Sequence, residues 1–232
     1  MNEFAYIEKN YKALKEELYE LSLKCGVSEP TLVCVTKSGS DEELLALVKA
    51  GATDLGENRP GEVKRRIALV KEKGFFANMH EIGTLQRNKI KLIADSVFMV
   101  HSLDTEKLAK DLDRYAEANS RKIPVLIEIN SAREEQKSGV LPECAEEFAH
   151  SLKEYKNLIP RGLMTMGPVC EEAELLRPYF RETKKLFDKL YGVFEEYGKP
   201  VLSMGMSDSY KIAIEEGSTL VRVGRKLFRK ED

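Results

Sequence analysis

The chain has 232 residues, 42% hydrophobic and 33% charged, a length that suits one large domain or two small ones with a sizeable core. Lys and Arg total 37 against 39 Asp and Glu, a net charge of -2, so there is no global basic footprint for nucleic acid. No apolar run approaches the roughly 20 residues a membrane helix needs, and the opening residues lack a basic region followed by an apolar one, so a cytoplasmic protein is expected.

In chain order, Phe4, Ile7, Tyr11, Leu14, Leu18 and Leu21 fall at alternating gaps of three and four, which predicts a helix with one apolar stripe. It should end near Cys25-Gly26, where glycine takes the left-handed cap. Short β-rich runs then alternate with longer amphipathic ones. Strands are predicted at Thr31 to Thr36, Thr53 to Glu57, Asn78 to Gly83, Ser96 to Val100, Ile123 to Asn130, Ile159 to Met164, Pro200 to Gly205 and Thr219 to Gly224. Helices are predicted at Asp41 to Ala50, Pro60 to Val70, Gln86 to Ile93, Asp104 to Asn119, Pro142 to Lys153, Glu171 to Phe194 and Ser209 to Glu216. Ser40-Asp41 and Asp104 carry helix start signals. Strand followed by helix, repeated eight times, predicts an α/β fold, a (β/α)8 TIM barrel with an extra N-terminal helix; an open doubly wound sheet is the rival. No linker or composition break interrupts the chain, so residues 1–232 are expected to form a single domain. The separated Cys25, Cys34, Cys144 and Cys170 should be free thiols, mostly buried. Cys34 should pack beneath a helix. The basic triplet Lys64-Arg65-Arg66 reads as a solvated helix face, and the apolar stripe of 171–194 as core packing.

In such a barrel, function collects at the C-terminal strand ends. Lys37 shares the parity of Val33 and Val35 and should project from the mouth, either as a solvated residue or as a partly desolvated amine able to form a Schiff base. The turn Ser203-Met204-Gly205-Met206-Ser207-Asp208-Ser209 and the segment Gly224-Arg225-Lys226 come after the last two strands, where barrels commonly bind phosphate. Arg222 has the parity of Leu220 and Gly224, so it should face inward, paired with Glu128 or Asp208 or with a ligand acceptor. Together, lysine, phosphate loops and inward arginine match the needs of pyridoxal 5'-phosphate (PLP): an aldehyde, a phosphate and a ring nitrogen. A Schiff-base aldolase acting on a phosphorylated sugar fits the lysine and the loops equally well.

Val35-Thr36-Lys37, Gly56-Glu57-Asn58, His80-Glu81-Ile82-Gly83, Leu85-Gln86-Arg87-Asn88-Lys89, Lys137-Ser138-Gly139, Gly162-Leu163-Met164-Thr165 and Ser203-Met204-Gly205-Met206-Ser207 follow one another along the chain as ordered motifs. Through them the sequence resembles the pyridoxal phosphate homeostasis protein family, also called the proline synthetase co-transcribed homologues, whose barrel is similar to the N-terminal domain of alanine racemase among fold type III PLP proteins. This resemblance implies vitamin B6 homeostasis, with Lys37 as the Schiff-base lysine, Asn58 beside the cofactor, Arg222 facing the pyridine nitrogen, and Ser207 with Gly224 on the phosphate. His80, Met206 and Arg225 complete the candidate cofactor contacts. The family pattern is departed from at Glu81, where an aromatic is usual, and at Asp208-Ser209 and Arg225. The resemblance further implies a carrier without an established reaction, PLP as the ligand, apo PLP enzymes as partners, and a monomer or weak dimer. The chain is expected to be too short for the second domain of the racemase, and the alternative is a racemase-like PLP enzyme using His80, His101 or a Tyr.

Overall fold

Helix α1 (Ala5–Cys25) buries Ile7, Leu14 and Leu18 from the predicted stripe, and ends where Gly26 adopts φ 66° and its N–H closes on Leu23 O. Glycine takes that left-handed conformation without the steric cost of a Cβ. The computed structural model describes residues 3–230, so the outermost residues of the 1–232 expectation lie outside the described residues. After α1, strands and helices alternate: β1 (Thr31–Val35), α2 (Asp41–Lys49), β2 (Asp54–Glu57), α3 (Pro60–Glu72), β3 (Asn78–Glu81), β4 (Met99–Leu103), α4 (Glu106–Ala118), β5 (Ile123–Glu128), α5 (Ala145–Ser151), β6 (Leu158–Met164), α6 (Arg177–Lys189), α7 (Tyr191–Glu195), β7 (Val201–Ser203), α8 (Tyr210–Glu215), β8 (Leu220–Val223) and α9 (Arg225–Phe228). Each strand pairs in parallel with the next and β8 returns to β1, closing an eight-stranded barrel.

Two apolar layers hold this shape. Leu32, Cys34, Leu55, Met79, Val100, Val125, Ile127, Leu163, Leu202, Val221 and Val223 point outward into the core shared with the helices. Inside the barrel, Met99, Leu126 and Met164 pack together. Alternation along each strand sends neighbours to opposite sides, which decides which polar residues enter the interior. Helix α1 packs on α2, α8 and α9, and Asn10 Nδ2 donates to Leu227 O at 3.2 Å and Arg229 O at 2.9 Å. It thereby covers the side of the barrel where β8 meets β1.

Several expectations are corrected. The fourth strand lies at Met99–Leu103 rather than 96–100, because Ser96 and Val97 close a turn on Ile93. The predicted helix 86–93 is a 3-10 helix, Arg87–Leu92. The segment 142–153 divides into a 3-10 turn, α5 and a second 3-10 turn. The segment 171–194 divides at Arg177-Pro178, since proline is accommodated in a helix's first turn but not in its interior. Its stripe still packs inward through Leu176, Phe180, Phe187 and Phe194. Ser40 caps α2, in line with the start signal at Ser40-Asp41, and the structure adds a reciprocal Glu43 contact, but Thr105 rather than Asp104 caps α4, its Oγ1 accepting from Leu108 N at 3.3 Å. All four cysteines are free, yet Cys34 alone among them is buried, because the others lie at helix ends or in a loop. No helix among the described residues is long and apolar enough to cross a membrane.

Candidate functional site

Strand β1 sends Leu32 and Cys34 to the outer core and Val33 and Val35 inward, and it leaves the barrel mouth between its neighbours β2 and β8. Lys37 lies in the turn beyond β1, exposed, with no hydrogen bond or ion pair to any described residue. Of the two readings of Lys37, its exposure in this turn matches the solvated one.

That turn is held from behind. Thr36 Oγ1 donates to Glu57 Oε1 at 2.5 Å. Arg66 donates to Gly39 O at 2.7 Å, to Ser40 O at 3.2 Å and to Asp41 Oδ1 at 2.9 Å, while its Nε lies 3.7 Å from Glu57 Oε1. Both Arg66 and Glu57 are buried. Burial pushes the Glu57 carboxyl up, against the opposing pull of Thr36 and Arg66. The solvated-face reading thus holds for Lys64 and Arg65 but fails for Arg66, which turns under the Lys37 loop.

Arg222 faces inward as its parity predicted, 4% exposed, between the outward Val221 and Val223. It bonds neither of the expected carboxylates: its guanidinium donates to Ser203 Oγ and, at 3.1 Å, to Thr165 O. Burial brings its pKa down to about 10, with the Glu128 charge acting against the shift. Glu128 is itself buried, with Oε2 lacking a hydrogen-bond partner. Burial and the nearby Asp104 push it up to about 7, while Arg222 pulls it down. It lines a mouth pocket of about 270 Å³ together with Thr84, Asn130, Ser131, Lys137 and Met166.

The loops after β7 and β8 are tied together, Gly224 N donating to Ser207 Oγ at 3.2 Å. At Gly224 a Cβ would lie 3.0 Å from Val35 O, so glycine lets the end of β8 lie against the end of β1. Gly205, at φ 88°, leaves no space for a Cβ beside Ala213 and Tyr210, which turns the β7 loop back over α8. Met206 is exposed, and so is Asn58 beyond β2. Arg225 is paired with Asp208, both largely exposed, so its charge is matched locally.

The structure thus brings Lys37, Asn58, Met206, Ser207, Gly224 and Arg225 to one rim, on the contiguous strand order β7-β8-β1-β2, with Arg222 below. His80 is buried in the interior, with both ring nitrogens facing protein groups: Nδ1 is 2.9 Å from His101 Nε2 and Nε2 is 3.1 Å from Asp54 Oδ1. Sequence reasoning missed Asp54, although it shares the inward parity of Gly56 and Asn58. An exposed primary amine, a buried guanidinium and two joined backbone loops suit a ligand with a carbonyl, a ring nitrogen and an anionic group.

A family model described as alanine racemase, N-terminal domain, matches residues 9–231. The pyridoxal phosphate homeostasis protein of Aquifex aeolicus (strain VF5) is 38% identical over 197 residues, 85% of either chain. That of Pasteurella multocida (strain Pm70) is 30% identical over 228 residues, 97% of this chain and 98% of its own. Among solved structures, PipY of Synechococcus elongatus PCC7942 with PLP bound matches at a TM-score of 0.83 and 25% identity, covering 96% of this chain and all of that one.

Proposed function

The chain belongs to the pyridoxal phosphate homeostasis protein family, and from that premise we propose that it binds PLP and serves its intracellular homeostasis by buffering or delivery. The observation that carries the proposal is the unpartnered Lys37 amine on the same rim as the Ser207–Gly224 loop pair. When bound, PLP supplies an aldehyde that condenses with a primary amine and a ring that can delocalise negative charge.

In this reading Lys37 Nζ is the covalent attachment point. Ser207 and the backbone around Gly224 hold the phosphate, flanked by Arg225. Asn58 and Met206 border the cofactor, whereas His80, with its ring nitrogens turned to His101 and Asp54, supports the site from within the barrel rather than by contact. Arg222 is a donor that stays protonated near neutral pH even with its pKa brought down to about 10 by burial, so it would hydrogen-bond the ring nitrogen without protonating it. A ring held that way is a weak electron sink, which favours keeping the cofactor over transforming a substrate on it. The functional unit is a single barrel domain, cytoplasmic, a monomer or weak dimer, with apo PLP enzymes as recipients.

A second reading, a PLP-dependent enzyme acting on an amino acid in a racemase-like manner, is favoured by Glu128, a carboxyl near neutrality beside the mouth pocket. Absorbance tests the first reading: a visible band on adding PLP, lost in Lys37→Ala, supports attachment, and no band in the parent protein refutes it. Exchange of an amino acid α-proton in deuterated water separates the two readings, since sustained turnover contradicts a carrier.

A further inference from the structure

Below the mouth, polar side chains connect Arg222 to the opposite rim of the barrel. Arg222 Nη1 donates to Ser203 Oγ, which lies 3.3 Å from His101 Nδ1. His101 Nε2 is 2.9 Å from His80 Nδ1, and His80 Nε2 is 3.1 Å from Asp54 Oδ1. Asp54 opens β2, so the series runs from the N-terminal rim through β3, β4 and β7 to β8. His80, His101, Ser203 and Arg222 are all buried.

With one hydrogen on each imidazole, the two ends fix the direction of every hydrogen between them. A guanidinium only donates and a carboxylate only accepts. Ser203 Oγ accepts from Arg222, which leaves its hydroxyl hydrogen for His101 Nδ1. His101 must then carry its own hydrogen on Nε2 and donate it to His80 Nδ1. His80 in turn presents Nε2–H to Asp54. The reverse order strands the Ser203 hydroxyl hydrogen in the interior and requires a second proton on His80, which would then donate from both ring nitrogens. Burial, then the neighbouring His80 and Arg222, hold His101 neutral with its pKa well below the usual histidine value. Asp54 is kept ionised: burial opposes this, but hydrogen bonds from His80, Thr53 and Asn78 outweigh it.

We propose that Arg222, Ser203, His101, His80 and Asp54 form a one-way hydrogen-bond relay, with Asp54 acting as a positioning residue for Arg222 from the far side of the barrel. Each donor in such a series is strengthened by the acceptor beyond it, so the Asp54 charge stabilises the cation at Arg222 and fixes its orientation. The consequence for the cofactor rests on the PLP reading, whereas the relay itself does not.

The test is ¹⁵N spectroscopy of the histidine-labelled chain without cofactor. Both His80 and His101 are expected to carry hydrogen on Nε2 with Nδ1 bare. In Asp54→Asn, the His101 signals should move together with those of His80, although His101 does not touch residue 54. The same variant should bind added PLP about 5- to 10-fold more weakly, the effect of one weakened charge-assisted bond. Ser203→Ala cuts the relay next to Arg222, so in that background Asp54→Asn should no longer alter PLP affinity. Nδ1–H on either ring, or an Asp54→Asn effect confined to His80, overturns the relay. The expected tautomers and coupled shifts in a chain that fails to bind PLP support the relay and overturn the proposed function.

Discussion

Arg66→Met perturbs the loop that presents Lys37 without touching the rim itself. The substitution removes the donors to Gly39 O and Ser40 O and the cation beside Glu57, while the methionine refills much of the volume. Breaking a buried ion pair by removing one partner costs about 3–5 kcal/mol. Glu57, already pushed up, offsets part of that by taking a proton, so a net loss of about 3 kcal/mol is expected. For a chain of this size that corresponds to a Tm lower by roughly 6–12 °C, read by circular dichroism near neutral pH. Because the lost cation raises the Glu57 pKa further, the deficit should grow as pH rises through that pKa. Adding Glu57→Gln removes the stranded charge and should recover about 1 kcal/mol or more. A Tm within about 2 °C of the parent, or no recovery in the double variant, would refute the clamp.

The same geometry carries further expected outcomes. Glu81 is buried with Oε2 unpartnered; burial pushes it up to about 8, the Gly83 N–H pulls it back and Glu57 adds to the rise. Its folded pKa lies above the unfolded one, so its contribution to stability is present below about pH 4.5 and is lost as pH rises toward 8, a change of several kcal/mol. Urea midpoints of Glu81→Gln should be flatter across that window, and equal slopes would sink the idea. Gly224→Ala forces β8 and β1 apart and should cost about 1 kcal/mol while weakening PLP retention in equilibrium dialysis; unchanged retention contradicts the close approach. Arg225→Ala should change stability by less than about 1 kcal/mol and PLP affinity by less than about 3-fold, since its exposed charge is spent on Asp208. A tenfold loss would return Arg225 to the phosphate site.

The barrel was legible because its outward strand positions are continuous aliphatics and its helices carry apolar stripes. Strand parity alone placed Arg222 correctly in the interior. The displaced fourth strand shows where that logic runs out: His101 and Ser102 break the apolar pattern that marks a strand, yet they lie within β4, His101 because the interior supplies it with polar partners. Arg66 was unreadable for a related reason. Its charged neighbours suggest a solvated face, and its partner Glu57 lies on a different element. The pairing of His80 with His101 depends on β3 lying beside β4, information no local spacing contains. The exposure of Lys37 likewise depends on the turn after β1 rather than on residue type.

Borohydride reduction of the chain incubated with PLP, followed by peptide mass spectrometry, tests the central claim most directly. The account predicts a pyridoxyl adduct on Lys37, in preference to the chain's other lysines. An adduct elsewhere, or none, would contradict it.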